Sequence, residues 1–218
     1  MSCPISHIFA SDLKRADSTA LSIYDAQPHP KPALITTQLL REQHFGDAEG
    51  QMWMSAGGRG GKFHNGESLD DVARRADRFF EEHLAPIIID SRGKPPGEIN
   101  VFVVSHSVTI AENLEALARR SVRMESAEEA GEAVGLFNTA WTKVAIGLEN
   151  ESPPEAITPD ATDSRPITTP TVVARETTAV PENLAPPFVG GAFPALRMMI
   201  VACNQHSHLK DATSETHT

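Results

Sequence analysis

A histidine at the end of an apolar segment is the residue of this sequence with the clearest chemical context. His106 follows Val101-Phe-Val-Val-Ser105, which predicts a buried strand, and a predicted helix begins directly after it. In open α/β sheets, ligands bind at the carboxyl ends of the strands, where the next helix presents free N–H groups and its positive dipole end. A phosphate there would contact the imidazole and the N–H groups of Ser107 and Val108. A structural histidine bonded to a neighbouring carbonyl is the competing interpretation.

Two further residues could act on the same phosphate. Arg15 lies in the first or second turn of a helix that follows a predicted strand at residues 6–10, so we expect it near the same sheet edge. Its guanidinium can bind two phosphate oxygens at once. Glu42 could protonate a departing alkoxide if a closed site raises the pKa of its carboxyl. From composition alone Glu42 is one acid among 29, and Glu49 competes with it.

The pattern of elements around these residues predicts an α/β fold. The helix from Ser68 to about Asp90 is the best defined, because apolar residues recur at helical spacing and Ser68 is a suitable N-cap. Ser11 or Asp12 is the expected N-cap of the first helix, which runs to about Tyr24. The remaining predicted elements are a turn-rich stretch at 36–53, a glycine-rich loop at 56–61, a strand at 99–105, a helix from 108 to about 120, and strands at 141–148 and 195–203.

The composition is that of an ordinary soluble protein with one domain over residues 1–218. A net charge of −10 argues against nucleic-acid binding, and no apolar run is long enough to span a membrane. Cys3 and Cys203 form no disulfide framework, so we expect buried free thiols and a cytoplasmic protein. Residues 149–187 are rich in proline, threonine and serine, which predicts a disordered insertion.

Other chemistries find less support. His44, His64 and His83 have no metal-ligand spacing with acids or cysteines. His206 and His208 could bind a metal, but a terminal loop or strand is the preferred interpretation, and no metal site is predicted. A serine hydrolase is excluded because no G-x-S-x-G motif is present.

Five segments, in this order, resemble the histidine phosphatase superfamily, also called phosphoglycerate mutase-like. They are Ser11-Asp-Leu-Lys-Arg15-Ala-Asp-Ser-Thr-Ala20; Leu40-Arg-Glu42-Gln-His-Phe-Gly46-Asp-Ala-Glu49-Gly50; Gly66-Glu67-Ser68 with Asp71, Val72 and Arg75; Val103-Val-Ser105-His106; and Asn204-Gln-His-Ser-His208-Leu209. The version Phe45-Gly46…Glu49-Gly50…Trp53 is similar to the phosphatase branch.

The resemblance implies a three-layer sandwich with a mostly parallel sheet, and a phosphomonoester hydrolase that needs no metal or organic cofactor. Arg15, His106 and the backbone of Ser107 would bind the phosphoryl group, and Glu42 would be the proton donor. Glu67 and Ser68 would be structural or would face the substrate. The expected partner is a small phosphorylated substrate, with neither nucleic acid nor a membrane involved.

The sequence departs from the family in two places. Relatives begin with a central strand that ends in Arg-His-Gly, and the histidine of that segment is phosphorylated during turnover. This sequence starts after that strand, and His7 is no substitute. We therefore expect the first central strand to be missing and activity to be absent or very weak. Truncation of the gene model is the preferred explanation; alternatively a neighbouring strand or a partner chain completes the sheet. The second departure is Ser107, where relatives usually have glycine.

Several functions remain open at this point. The first rival is a pseudoenzyme that binds a phosphorylated ligand or a partner protein, and the second is a phosphoglycerate-type phosphomutase. An unstable fragment is the third. An unpaired sheet edge would favour self-association. The loops expected to choose the substrate are at residues 52–63 and 123–137, and they do not reveal its identity.

Overall fold

Two three-stranded sheets organise the chain. The computed structural model describes residues 4–51, 61–95, 97–126, 138, 140–149 and 193–205. One sheet belongs to a compact unit, Met1–Arg119, and the other to a second unit, Arg120–Thr218. Three of the four strand pairings are parallel, which confirms the predicted α/β class with a mostly parallel sheet. The single-domain assignment stays a prediction, and the predicted insertion lies outside the described residues apart from Glu149.

The sheet of the first unit aligns three carboxyl ends. Strand β1 (His7–Ser11) lies between β2 (Ala33–Thr37) and β3 (Val101–Val104), and both pairings are parallel. Strands β1 and β3 occupy the predicted segments. Strand β2 is absent from the predictions, because most of its side chains are exposed and its apolar residues, Ala33-Leu34-Ile35, form only a short run after a proline-rich stretch.

The prediction that β3 is a buried strand is wrong, because three of its four residues are partly buried and one is exposed. Among the described strands β3 pairs with β1 alone, and Phe102 is 36% exposed. A strand at the edge of its sheet is covered on fewer sides than a central one, which accounts for the exposure. The predicted gap left by a missing central strand stays a prediction.

Helices cover both faces of this sheet. Alternate residues of β1 point in opposite directions, so Ile8 and Ala10 contact helix α1 (Lys14–Asp25) through Ala20, whereas Phe9 contacts Phe79 on the other face. The predicted N-cap of α1 is wrong. The residue before the helix is Leu13, without a side-chain cap. Ser11 Oγ accepts the N–H of Leu13, which precedes the helix, and binds His106, whereas Asp12 pairs with Arg41.

The long predicted helix begins as expected and then changes geometry. Helix α2 (Leu69–Phe79) starts with a capping box in which the side chains of Ser68 and Asp71 each bind the backbone N–H of the other. A π-helical turn (Phe80–Leu84) separates it from α3 (Ala85–Asp90). Pro86 explains the change, because it has no N–H to donate and its ring would clash with the carbonyl four residues earlier.

Helix α4 (Ser107–Arg119) follows β3 and contacts α2. In the second unit, β6 (Leu196–Gln205) lies parallel to β4 (Ser121–Ser126) and antiparallel to β5 (Trp141–Leu148). Strands β5 and β6 were predicted. Strand β4 was not, since residues 122–125 are exposed and lack a burial pattern. Among the described residues, no helix has the length and apolar character to cross a bilayer.

Candidate active site

The carboxyl ends of the three parallel strands bring the predicted residues together. Along the chain, Arg15 lies in the first turn of α1, which follows β1, and His106 lies between β3 and α4. Glu42 follows β2 after a 3₁₀ turn (Gln38–Leu40). Because β1 lies between β2 and β3, these connections emerge side by side at one sheet edge. The edge of a parallel sheet where helices begin is the place where such folds bind anions.

The ring of His106 is held at both nitrogens. Arg15 Nε donates to His106 Nδ1 over 3.1 Å, and His106 Nε2 lies 3.0 Å from Ser11 Oγ. An arginine Nε can only donate, so Nδ1 accepts and the ring proton is on Nε2, from which it is donated to Ser11. Burial, followed by the positive charges of Arg15 and Arg75, lowers the pKa of His106 to about 4. The imidazole is therefore neutral near pH 7.

The carboxyl of Glu42 lies at the N-terminus of α4. The backbone N–H of Gln43 donates to Oε1 over 3.0 Å, and the N–H groups of Thr109 and Val108 also bind the carboxyl. Burial raises the pKa of Glu42; these three N–H groups and the charge of Arg15 oppose the increase without cancelling it. Glu42 consequently holds its proton to a higher pH than an exposed glutamate, which suits a proton donor.

The structure distinguishes Glu42 from Glu49, the other candidate proton donor. Glu49 is exposed, and its Oε1 accepts the N–H of Phe45 over 2.9 Å within its own turn. Ser68 caps α2, as predicted, and Glu67 forms an ion pair with Arg75. Ser107 is the exposed first residue of α4, and its phosphate contact stays a prediction.

Three site residues escaped the sequence analysis. Ser11 is the partner of His106 Nε2, and its position one residue beyond the predicted strand was the available signal. Thr109 donates to the carbonyl of Arg41 over 2.6 Å. Arg75 contacts the segment that carries Glu42. It belongs to the third family-like segment, which distinguishes it from Arg74 and Arg78, but the sequence assigned it no role.

Some predicted features lie outside the described residues, namely His206, His208, most of the loop at 52–63 and most of that at 123–137. Where the structure is described, His64 pairs with Asp47 at 2.8 Å on the surface, and His83 packs against Phe9 and Phe79. No group of three or more histidine, cysteine, aspartate or glutamate side chains that could hold a metal ion occurs in that part of the chain.

Comparison with known proteins gives matches over most of the chain. The family model of the histidine phosphatase superfamily (branch 1) matches residues 1–149. Fructose-2,6-bisphosphatase TIGAR of Xenopus tropicalis is 26% identical over 96% of this chain and 79% of its own length. The 2,3-bisphosphoglycerate-dependent phosphoglycerate mutase 2 of Gloeobacter violaceus is 31% identical over 49% of this chain, and the chain spans about half of that relative, 52%.

Solved structures support the fold. Mycobacterial hydrolase 2 matches with a TM-score of 0.53 at 18% identity, over 99% of this chain and 78% of that one. Mycobacterial hydrolase 1 has a TM-score of 0.50 at 24% identity, over 69% and 71% of the two chains. The family match extends over the strands and helices that bring Arg15, Glu42 and His106 to one sheet edge. On this evidence, the chain belongs to branch 1 of the histidine phosphatase superfamily.

Proposed function

We propose that this site binds the phosphoryl group of a small phosphomonoester and supports its hydrolysis. The observation that carries the proposal is the convergence of Arg15, Glu42 and His106, from three separate segments, beside the N-terminus of α4. The names of both curated relatives refer to phosphorylated small molecules, which supports the same substrate class.

Arg15 supplies the main charge for binding. Its Nε is engaged with His106, whereas its two terminal nitrogens donate no hydrogen bond to any residue that the structure describes. Those nitrogens can each contact one phosphoryl oxygen, in the forked geometry that suits a guanidinium. The Nε2–H of His106 is the second donor, since a phosphoryl oxygen can take the place of Ser11 Oγ as its acceptor.

Glu42 acts on the leaving group. In a phosphohistidine reaction, a histidine nitrogen bonds to phosphorus while the bond from phosphorus to the substrate oxygen breaks. Glu42 gives its proton to that oxygen, so an alcohol departs. Water then attacks the phosphohistidine, giving its proton to Glu42 and releasing inorganic phosphate. The raised pKa of Glu42 favours the protonated acid that the first step requires.

His106 is a binding residue in this scheme and not the nucleophile. Attack on phosphorus requires a free lone pair on nitrogen, but Nδ1 accepts from Arg15 and Nε2 carries the proton. The 218 residues contain no Arg-His-Gly tripeptide, which is the nucleophile segment that the family resemblance implies. We therefore propose that this chain binds phosphate and hydrolyses phosphomonoesters slowly, with water as the nucleophile. The water oxygen bonds to phosphorus as the bond to the substrate oxygen breaks, Glu42 gives its proton to that oxygen, and the proton lost by the attacking water passes to solvent, from which Glu42 is reprotonated. An Arg-His-Gly segment would be needed for full turnover.

The same observation favours a second candidate, a phosphate-binding pseudoenzyme. Both candidates share the binding site, and they differ in turnover. Slow release of inorganic phosphate from an alkyl phosphomonoester, β-glycerophosphate, that Glu42→Gln abolishes would support the hydrolase, because an alkoxide leaving group needs the proton of Glu42. Binding of inorganic phosphate without any release would support the pseudoenzyme.

Calorimetric titration with inorganic phosphate tests the shared site. We expect Arg15→Ala to weaken phosphate binding about tenfold or more, because a charged forked contact is lost. Lys14→Ala removes an exposed positive charge one residue away and is the matched control, for which less than about a twofold change is expected. Equal weakening by both variants would show nonspecific charge attraction and would contradict the proposed site.

A further inference from the structure

The segment that carries Glu42 has no regular structure of its own. Residues 41–45 lie between a 3₁₀ turn and the next turn, so no helix or sheet ladder binds their backbone. Side chains from other elements bind it instead. Ser105 donates to the carbonyl of Leu40 over 2.8 Å, and Thr109 donates to that of Arg41 over 2.6 Å. An irregular segment can be rigid when its polar backbone groups are satisfied in this way.

Arg75 makes the largest contribution to this fixation. Its Nε and Nη2 bind the two carboxylate oxygens of Glu67 at 2.8 and 2.9 Å. Its Nη1 binds the carbonyls of Leu39 at 2.9 Å and Arg41 at 3.1 Å, and Nη2 reaches the carbonyl of Glu42 at 3.4 Å. These five bonds use all five N–H donors of the guanidinium. Arg75 therefore has no donor left for a substrate oxygen.

Glu67 holds the other side of the same segment. Its Oε2 accepts the N–H of His44 at 2.9 Å, and its own N–H donates to the carbonyl of His44 at 2.7 Å. Its carbonyl accepts from the side-chain nitrogen of the buried Gln43 at 2.7 Å. The Arg75–Glu67 pair thus binds the chain immediately before and immediately after Glu42.

We propose that Arg75 and Glu67 are positioning residues that hold the Glu42 carboxyl against the N-terminus of α4. The proposal rests on the proposed function, because it assigns these residues to the proton donor of that site. It extends beyond a generic stabilising role, since the pair forms hydrogen bonds with the backbone of the donor segment on both sides of Glu42. The charge of Arg75 also acts on His106, but no hydrogen bond joins the pair to Arg15 or His106 among the described residues.

The physical consequence concerns the proton of Glu42. Burial is the largest cause of its raised pKa, so looser packing of residues 41–45 would admit water and lower that pKa. The pair itself stays charged. Burial alone would raise the pKa of Glu67, but the bonds from Arg75 and from the N–H of His44, with the charge of Arg75, lower it overall.

Titration of Glu42 in the protein without ligand tests the proposal. Glutamate carboxyl carbons are labelled with ¹³C, and the Glu42 signal is assigned by its loss in Glu42→Gln. We expect Arg75→Lys to shift the Glu42 pKa down toward that of an ordinary glutamate. The three N–H donors of a lysine ammonium cannot replace the five donors of the planar guanidinium, so residues 41–45 would be held less tightly and Glu42 would be less buried. Arg78→Lys is the matched control. Arg78 lies on the same helix, is exposed, and pairs only with Glu82 among the described residues.

Glu67→Gln provides an independent variant of nearly unchanged shape and decides the matter if Arg75→Lys does not fold. It should also lower the Glu42 pKa, because the carboxylate that orients Arg75 is lost. An unchanged Glu42 titration in these variants, even with reduced thermal stability, would overturn the proposal and leave a purely structural pair. The titration needs no phosphate, so its result is separate from failure of the proposed function, which the phosphate titration of Arg15→Ala reports.

Discussion

Arg15 Nε donates a hydrogen bond to His106 Nδ1 across 3.1 Å, which joins the first turn of α1 to the residue that precedes α4. The bond has two effects. It places a guanidinium and an imidazole side by side at the edge of the sheet, and it determines which nitrogen of the ring carries the proton. Ser11 Oγ accepts a hydrogen bond from the other nitrogen, Nε2–H, so both nitrogens of the buried ring have a hydrogen-bond partner.

The tautomer of His106 should depend on Arg15 and not on Ser11. An arginine can only donate, whereas a serine hydroxyl can donate or accept. In ¹⁵N NMR spectra of the imidazole, we expect the Nε2–H form in the unmodified chain and in Ser11→Ala. In Arg15→Ala we expect a mixture of the two tautomers. A change of tautomer in Ser11→Ala, with none in Arg15→Ala, would contradict this assignment.

The stability of the protein should fall in acid because of His106. The pKa of this residue is about 4 in the folded chain against 6.5 ordinarily, so the unfolded chain binds the additional proton between these values. The contribution of His106 is complete above pH 6.5 and is lost as the pH falls toward 4. It amounts to at most about 3 kcal/mol at 1.36 kcal/mol per unit of pKa.

Urea unfolding at several pH values checks this expectation. The difference in unfolding free energy between the unmodified chain and His106→Asn should shrink as the pH falls from 7 to 4. A difference for His106→Asn that is constant with pH would exclude the lowered pKa.

Gly46 should tolerate no side chain. Its φ is +54°, and a Cβ would overlap the carbonyl of His64 and lie 2.5 Å from the N–H nitrogen of Gly66. We expect Gly46→Ala to reduce the unfolding free energy by more than about 2 kcal/mol, since backbone strain and overlap add. Gly50 also has a positive φ, +77°, but nothing lies within 4 Å of its would-be Cβ.

Gly50→Ala is therefore the matched control, with a cost of about 1 kcal/mol for the left-handed backbone alone. Thermal unfolding of the two variants measures the difference. Equal costs would show that the close approach of Gly46 to residues 64–66 is not maintained in solution.

The family, the α/β class and the candidate residues could be predicted from the sequence. Arg15 and His106 directly follow strand-like segments, and the carboxyl ends of parallel strands meet at one edge of a sheet. Helix α2 could also be predicted, because its N-cap Ser68 and its apolar stripe are local features. Strands β2 and β4 could not be predicted, since exposed strands carry no periodic burial signal.

The preference for Glu42 over Glu49 came from the motif, and its physical reason appeared only with the tertiary structure. The two acids lie in one segment, and the proton affinity of each depends on what surrounds it. The approach of α4 buries the Glu42 carboxyl, whereas Glu49 stays in solvent. The tautomer of His106 and the contacts of Arg75 with residues 39–42 likewise depend on the tertiary structure. Sequence determines which groups are available, but burial and hydrogen-bond partners, which come from residues distant in the chain, decide their protonation and orientation.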